Sequence, residues 1–379
     1  MPKNKIFFYI SLTLFCISLL FFGIYKFAFE TPSSGDKSHI VVENNTPKDT
    51  KKTNPESIIA ITDEAVVAAT ISKDPSMIDY YSKTTGRAYQ IDFNGNGKKS
   101  LPNKTAAGIV SATWSPDKTK VITKTVSGES TNFYYYDPNQ QETPLKQNVD
   151  EVAWQNTSNR IFYKYYDTTT KQRTLSISNP DGTEWIKLAD INVRDISITQ
   201  IPQSSLVSFW NKADSFSETS LKSVSIVGGG ERELFKGVFG ADYLWNNNGT
   251  KALVSSVETS GGSKIQLSII NSIGGELKRL NVPTLVSKCV WLSDNKNIIC
   301  ALPGGIPDNA VIPNDYDQGK INTIDTFWKI NTATGEKSRS LEIDKINGSY
   351  DATKLFLNTD ESLLFFINRT DGKLYRANL

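Results

Sequence analysis

Ala112-Thr113-Trp114-Ser115-Pro116-Asp117-Lys118-Thr119-Lys120-Val121-Ile122 decides the fold. An apolar approach ends in Trp114, a Ser-Pro-Asp turn follows, and a β-branched pair opens the next run. Pro fixes φ and Asp bonds its own backbone, so the stretch reads as a tight turn between two strands. Trp154 to Ile161, Trp245 to Ala252 and Trp291 to Ile298 repeat it, each with an apolar residue seven places after the Trp. Ile71 to Ile78 and Leu357 to Leu364 keep that spacing without the Trp. A further copy, at Ile201-Pro202-Gln203-Ser204-Ser205-Leu206, is marked only by its place in the series.

The anchors stand 43 residues apart from Ile71 to Trp114, then 40 to Trp154, 47 to Ile201, 44 to Trp245, 46 to Trp291 and 66 to Leu357. A period of about 40 to 50 residues with several strands per unit is the signature of a propeller blade. A single blade cannot bury both faces of its sheet, so blades pack around an axis and hide their edges. The expectation is an all-β, seven-bladed β-propeller. β-Branched and aromatic runs such as Val66–Ile71, Phe133–Tyr136, Ile161–Tyr166 and Leu363–Ile367 supply its strands, and Gly, Pro, Asn and Asp punctuate between them. The last unit offers three strands before the chain ends. Ser57-Ile58-Ile59-Ala60-Ile61 is therefore predicted to close the ring as its fourth.

Ahead of the propeller, Lys3 and Lys5 precede an uncharged stretch from Ile6 to Tyr25. At 1.5 Å per residue it spans roughly 30 Å, the thickness of a hydrocarbon core. The competing reading, a cleaved signal peptide, wants a shorter apolar region and a small-x-small site, which Phe21-Phe22-Gly23-Ile24-Tyr25-Lys26 does not offer. Phe15 before Cys16 argues against lipidation. The expected organisation is a cytoplasmic stub and transmembrane helix at 1–30, a flexible linker at 31–56 rich in Pro, Ser, Asn, Thr and Lys, and the propeller at 57–379. The basic N-terminus predicts a single-pass protein of the cell membrane with its propeller extracytoplasmic and the bilayer contacted through residues 6–25.

Charge and residue inventory narrow the function. Lys and Arg total 42 against 40 Asp and Glu; seven bases and five acids precede residue 57, which leaves 35 of each in the propeller. No basic face emerges, so nucleic acid is not an expected partner. The one His, His39, lies in the linker, which removes imidazole triads and His-ligated metal sites from the propeller. Asp92-Phe93-Asn94-Gly95-Asn96-Gly97 imitates the start of a calcium loop, but its twelfth position is Asn103 instead of Glu, so it reads as a turn. No metal, cofactor or catalytic residue is expected. The anchor Trp residues read as packing between blades.

Trp114-Ser115-Pro116-Asp117, followed by Val121-Ile122 and an aromatic strand ending at Tyr136-Asp137, resembles the WD40-like Pro-Asp repeat of TolB-like bacterial β-propellers. The resemblance covers 57–379 and implies a propeller fold; propellers of this kind mostly bind partners in the cell envelope, and others carry enzymes.

Two local features suggest sites. A turn centred on Asp294-Asn295 places Cys289 opposite Cys300, close enough for a disulfide in an oxidising compartment. The 66-residue step contains a long insertion from Pro303 to Lys320, read as a connection without structure of its own, and connections of this kind tend to be functional or disordered. Its Asp308, Asn309, Asn314, Asp315, Tyr316 and Asp317, with Trp210 and Asn211 on the same side, are the candidate binding residues. The sequence thus predicts a non-enzymatic, membrane-tethered module that binds an envelope protein or glycan. The alternative is an anchored hydrolase of glycans or lactones that uses carboxylates at the channel mouth.

Overall fold

The structure, a computed structural model, describes residues 57–102, 105–128, 130–138, 142–275 and 277–379. The predicted membrane span and linker lie outside the described residues. Among those residues no helix is long and apolar enough to cross a membrane. They belong to one compact unit, Asn54–Leu379.

Strands follow one another as antiparallel neighbours. After β1 (Ile58–Ala60), β2 (Val66–Ile71), β3 (Met77–Ser82), β4 (Ala88–Asp92) and β5 (Lys99–Ser100) form one sheet. The next holds β6 (Ile109–Trp114), β7 (Val121–Ser127), β8 (Ser130–Tyr136) and β9 (Thr143–Pro144). The third holds β10 (Val149–Trp154), β11 (Ile161–Tyr166), β12 (Arg173–Ser178) and β13 (Ile186–Asp190). A larger sheet runs through β14 (Ile196–Gln200), β15 (Leu206–Asn211), β16 (Glu218–Ser225), β17 (Arg232–Trp245), β18 (Lys251–Val257), β19 (Gln266–Asn271) and β20 (Lys278–Val282). Then come β21 (Cys289–Trp291), β22 (Asn297–Gly304), β23 (Ile324–Asn331) and β24 (Lys337–Arg339). The last sheet holds β25 (Ala352–Leu357), β26 (Leu363–Asn368) and β27 (Leu374–Asn378), with β1 beside β27.

The hydrogen-bonded sheets are thus six among the described residues. The fourth has seven strands because the 14-residue β17 pairs β16 as far as Phe239 and β18 from Phe239 onward. Elsewhere a loop breaks the chain at that point. In β17 the backbone bends through Gly237 and Gly240, at φ +90° and +57°, without leaving the strand.

The seven-residue spacing in the sequence is a register. Ile71 faces Ile78, Trp114 faces Val121, Trp154 faces Ile161, Trp245 faces Ala252, Trp291 faces Ile298 and Leu357 faces Leu364. In the degenerate copy the facing pair is Gln200 and Val207, one residue before the expected anchor. Asp117 accepts bonds from the Ser115 and Thr119 hydroxyls at 2.6 and 2.9 Å, closing the turn on itself. The Trp side chains tie each unit to the one before. Trp114 Nε1 donates to Ala68 O at 2.8 Å, Trp154 Nε1 to Thr113 O at 2.9 Å and Trp291 Nε1 to Leu244 O at 3.1 Å.

Two faces follow from the strand directions. The turns after β17 and β19 share one, where Ser272 N bonds Thr250 O; Ile226 N to Ser205 O and Thr332 N to Lys296 O repeat this in other units. We call it the hairpin face. Connections from second to third strands, and from one unit to the next, share the opposite face: Lys212 N bonds Asp195 O and Arg369 N bonds Asp351 O.

The ring closes through its first strand. Ile58 pairs with Ala377, Ile59 with Arg376 and Ala60 with Tyr375. Ile58 and Ile61 are buried in two separate core clusters, so β1 fills the core as well as covering an edge. Each fully buried Ile contributes about 1.5–3 kcal/mol. A chain beginning at Thr62 is expected to melt at least about 5 °C lower than one beginning at Ser57, as several kcal/mol implies for a domain of this size. Equal melting temperatures would show that the pairing contributes nothing.

Candidate functional site

The insertion spans residues 305–323, because β22 and β23 extend to pair Gly304 with Ile324. It carries a helical turn, α1 (Asn314–Asp317). The expectation of a connection without structure of its own is corrected: Ala310, Ile312 and Tyr316 are buried with Val257, Ile265 and Leu285 in a cluster of their own. The segment is a strap across three neighbours. Ile312 N bonds Gly262 O at 3.2 Å. The Asn314 side chain donates to Asp214 Oδ1 and accepts from Ser215 N, both at 2.8 Å. At its other end Arg369 donates to Tyr316 O at 2.7 Å and lies 3.8 Å over the Tyr316 ring. Gly240 is obligatory beneath it, since an added Cβ would come 2.7 Å from Pro313 Cδ.

Under the strap lies a buried charge cluster. Lys288 Nζ, fully buried, donates to Asp325 Oδ2 and Asp351 Oδ1 at 2.7 Å, Thr323 Oγ1 at 2.9 Å and Ala352 O at 3.0 Å. The Tyr316 hydroxyl donates to Asp351 Oδ1 at 2.7 Å. Burial pushes the Asp325 carboxyl up from its ordinary value. Burial acts the same way on Asp351, but the hydrogen bond and charge of Lys288 and the Tyr316 hydroxyl outweigh it, and that carboxyl is held low. Burial, then the bond to Asp351, drives the Tyr316 hydroxyl far up. Two carboxylates against Lys288 and the nearby Arg369 leave the cluster balanced.

Beside it the strap holds Asp317 out to solvent, among charges from several units. Although the residue as a whole is exposed, its carboxyl is pushed up first by desolvation and then by the Asp242 carboxylate, with Arg369, Lys212 and Lys354 opposing. Asp242 is itself raised, by burial. It accepts the Trp210 indole N–H and the Tyr243 backbone N–H at 3.0 Å. Glu151 is raised by burial too, against Lys212 and Lys124. These groups come from bulges in the innermost strands. The register slips between Val149 and Glu151 in β10, between Phe239 and Asp242 in β17, and between Thr353 and Phe356 in β25, which carries Lys354. A bulge re-aims side chains. Lys354 also reaches a cavity of about 350 Å³ walled by β2, β6 and β25.

The candidate residues divide accordingly. Asp308 and Asn309 line an open cavity of about 500 Å³ with Glu258, Gly262 and Lys264. With Asp317 they are the solvent-facing members. Tyr316 is buried and offers no aromatic contact, because its hydroxyl is committed to Asp351. Trp210 is likewise buried, held by Asp242 and edge-on to Tyr243 at 5.3 Å. Asn314 is a staple to Asp214. Asp315 caps Val311 N at 2.7 Å and pairs with Lys320 at 2.9 Å. Asn211 braces the β15–β16 hairpin through Ser220 N and Glu218 O. Cys289 and Cys300 face each other across β21 and β22 and are joined by a disulfide. The Asp92 carboxylate turns back on its own loop, accepting from Asn94 N and Asn96 N at 2.8 Å. Among the described residues no group of three or more His, Cys, Asp or Glu is placed to hold a metal ion.

Sequence reasoning missed Glu151, Asp242, Lys288 and Lys354. The signal was present, because each stands three residues before its unit's anchor, at Trp154, Trp245, Trp291 and Leu357. A charge recurring there inside an apolar strand marks a position that faces something other than ordinary core.

No family model matches the chain and no curated protein matches its sequence. Solved structures do. An oligogalacturonate lyase from Vibrio parahaemolyticus is similar at 11% identity and a TM-score of 0.58, over 85% of this chain and 93% of that one. An oligogalacturonate lyase in complex with manganese gives 12%, 0.59 and the same coverage. The β-propeller domain of the trilobed protease from Pyrococcus furiosus, described as having an open velcro topology, gives 11% and 0.54 over 83% and 95%. At these identities the likeness establishes the fold alone, a β-propeller. It also overturns one expectation. The residue inventory predicted that the chain is no enzyme, yet a lyase made almost wholly of the matched fold is catalytic, so the fold gives no ground for that exclusion.

The buried cluster generates a test. Lys288→Met leaves two carboxylates without their cation, at a cost of about 3–5 kcal/mol. The variant is expected to melt well below the parent and to be cut by protease within 308–319 under conditions where the parent is resistant. A variant matching the parent in both would show that the strap does not depend on Lys288.

Proposed function

We propose that the chain is a membrane-tethered, extracytoplasmic propeller of the cell envelope that binds a polar, glycan-like ligand at the mouth of its channel, beneath and beside the strap. Counting the seven-stranded sheet as two blades that share β17 gives the seven-bladed ring that the repeat implies. The TolB-like character of that repeat and the apolar run at residues 6–25 support the envelope location.

One observation carries the binding reading: Asp317, exposed on the strap, feels the charges of Asp242, Arg369, Lys212 and Lys354 from other units of the ring. Mixed-sign polar groups at a concave, solvent-reached opening suit hydroxyl-rich ligands, which present donors and acceptors together. A separate open cavity of about 500 Å³ at the start of the strap, with Asp308, Asn309 and Lys264 at its wall, gives room for more than one sugar ring.

A second reading is favoured by the electrostatics. Asp317 and Asp242 are both held above the ordinary carboxylate range, Asp317 partly by the charge of Asp242. A carboxyl raised in this way keeps its proton to higher pH than an ordinary one, which is what a proton donor needs. Carboxylate-dependent cleavage of the bound glycan would use that property, and the lyases of the same fold are a precedent for the scaffold.

Calorimetric titration with neutral and acidic oligosaccharides tests both. Binding is expected for the parent protein, with at least about a tenfold loss for Asp317→Asn, as removal of a charged partner implies. Undiminished affinity in Asp317→Asn and Lys354→Met would place the site elsewhere. Product analysis after prolonged incubation separates the readings: cleavage lost in Asp317→Asn supports catalysis, and intact ligand at full binding supports capture alone.

A further inference from the structure

We propose that the hairpin face docks on the bilayer surface, with Trp185, Val227 and Ile273 seated at the level of the lipid headgroups. The inference rests on reading residues 6–25 as the membrane anchor, and goes beyond it by fixing which face of the propeller meets the lipid.

Three successive turns on this face each present a large apolar side chain to solvent. Trp185, in the turn between β12 and β13, is 52% exposed; Val227, between β16 and β17, is 77%; Ile273, between β19 and β20, is 65%. They are neighbours on one rim. Gly228 lies against Lys187 O, two residues beyond Trp185, and Gly274 packs directly on Leu234 O in the strand that follows Val227. Ile186 and Leu277, at the starts of their strands, widen the patch. Gly228-Gly229-Gly230 and Gly274-Gly275 flank the tips, so the apolar side chains are what protrudes. Side chains of this size in water on adjacent turns mark an interaction surface.

The chain's own path names the occupant. Asn378 N bonds Ser57 O at 3.0 Å, and Leu379 N bonds Ser362 O at 2.9 Å in the turn between β25 and β26, so the chain enters on the hairpin face. Only 26 residues, 31–56, stand between the expected anchor region and this entry point. That keeps the entry face near the bilayer. Trp is the residue most at home at a membrane interface, where its ring is buried and its N–H stays hydrated. The strap and channel mouth lie on the opposite face and would point away from the lipid toward incoming ligand.

The test uses the full chain reconstituted in vesicles of phosphatidylethanolamine and phosphatidylglycerol carrying brominated acyl chains. Flotation reports the anchor, and tryptophan emission reports docking. The expected result is a quenched, blue-shifted component that is lost in Trp185→Phe. It is also expected to be lost in Val227→Asp/Ile273→Asp, while both variants still float with the vesicles. A chain that floats without any Trp185-dependent quenching overturns the docking and leaves the anchor standing. A chain that fails to float overturns the anchor and the docking with it. Shielding of Trp185 only after envelope proteins are added would assign the patch to a protein partner and overturn the proposal.

Discussion

The last sheet has four strands only because β1, from the start of the propeller, pairs with β27, and the rest of the ring depends on that pairing. The last unit supplies three strands and the first residues of the propeller supply the fourth, so both termini are fixed in one sheet. An exposed edge would otherwise template association with other chains. Closure also fixes the spacing of the units around the axis. Trp114, Trp154 and Trp291 then hold their units to the preceding one by indole bonds to a backbone carbonyl, and Trp245 does so through the Ser208 hydroxyl.

The strap is built on that frame. A fully buried ammonium is expensive, and Lys288 is tolerated because its protons meet two carboxylates, a hydroxyl and a carbonyl. Those acceptors come from the end of the insertion, from β23 and from the entry to β25, so the ion cluster joins two sheets and the strap in one balanced unit. Tyr316 completes it from above. The hydroxyl that satisfies Asp351 also positions α1, and α1 carries the exposed Asp317. Removing charge from this cluster therefore affects the placement of a surface group as well as stability.

Much of this could be read from the sequence, for physical reasons that differ by element. The Trp-Ser-Pro-Asp turn and its copies revealed the register because directly opposed residues across a tight hairpin have a fixed separation, and Cys289 facing Cys300 follows from the same arithmetic. The closing strand was legible because Ser57–Ile61 is apolar with no partner in its own unit. The fourth unit was one residue out, since Gln200 occupies the anchor place and does not look like an anchor. The strap was found by length, but its residues were misjudged. Tyr316 and Trp210 looked like contacts and are held by Asp351 and Asp242, because sequence shows that a residue is aromatic and not what its polar atom reaches. The charged positions of the first strands went unread, although Glu151, Asp242, Lys288 and Lys354 recur at one place in the repeat.

Function then turns on whether the strap is a fixed part of the ring or a loop that happens to lie over it. Hydrogen exchange of the strap amides measures this most directly. The amides of Ile312, Asp315, Asp317 and Lys320 bond Gly262 O, Val311 O, Pro313 O and Asp315 O at 2.8 to 3.2 Å. They are expected to exchange as slowly as amides in β22 and β23, opening only with the ring. Exchange at the rate of an unprotected loop would contradict the account, because Asp317 would then have no fixed place above the channel.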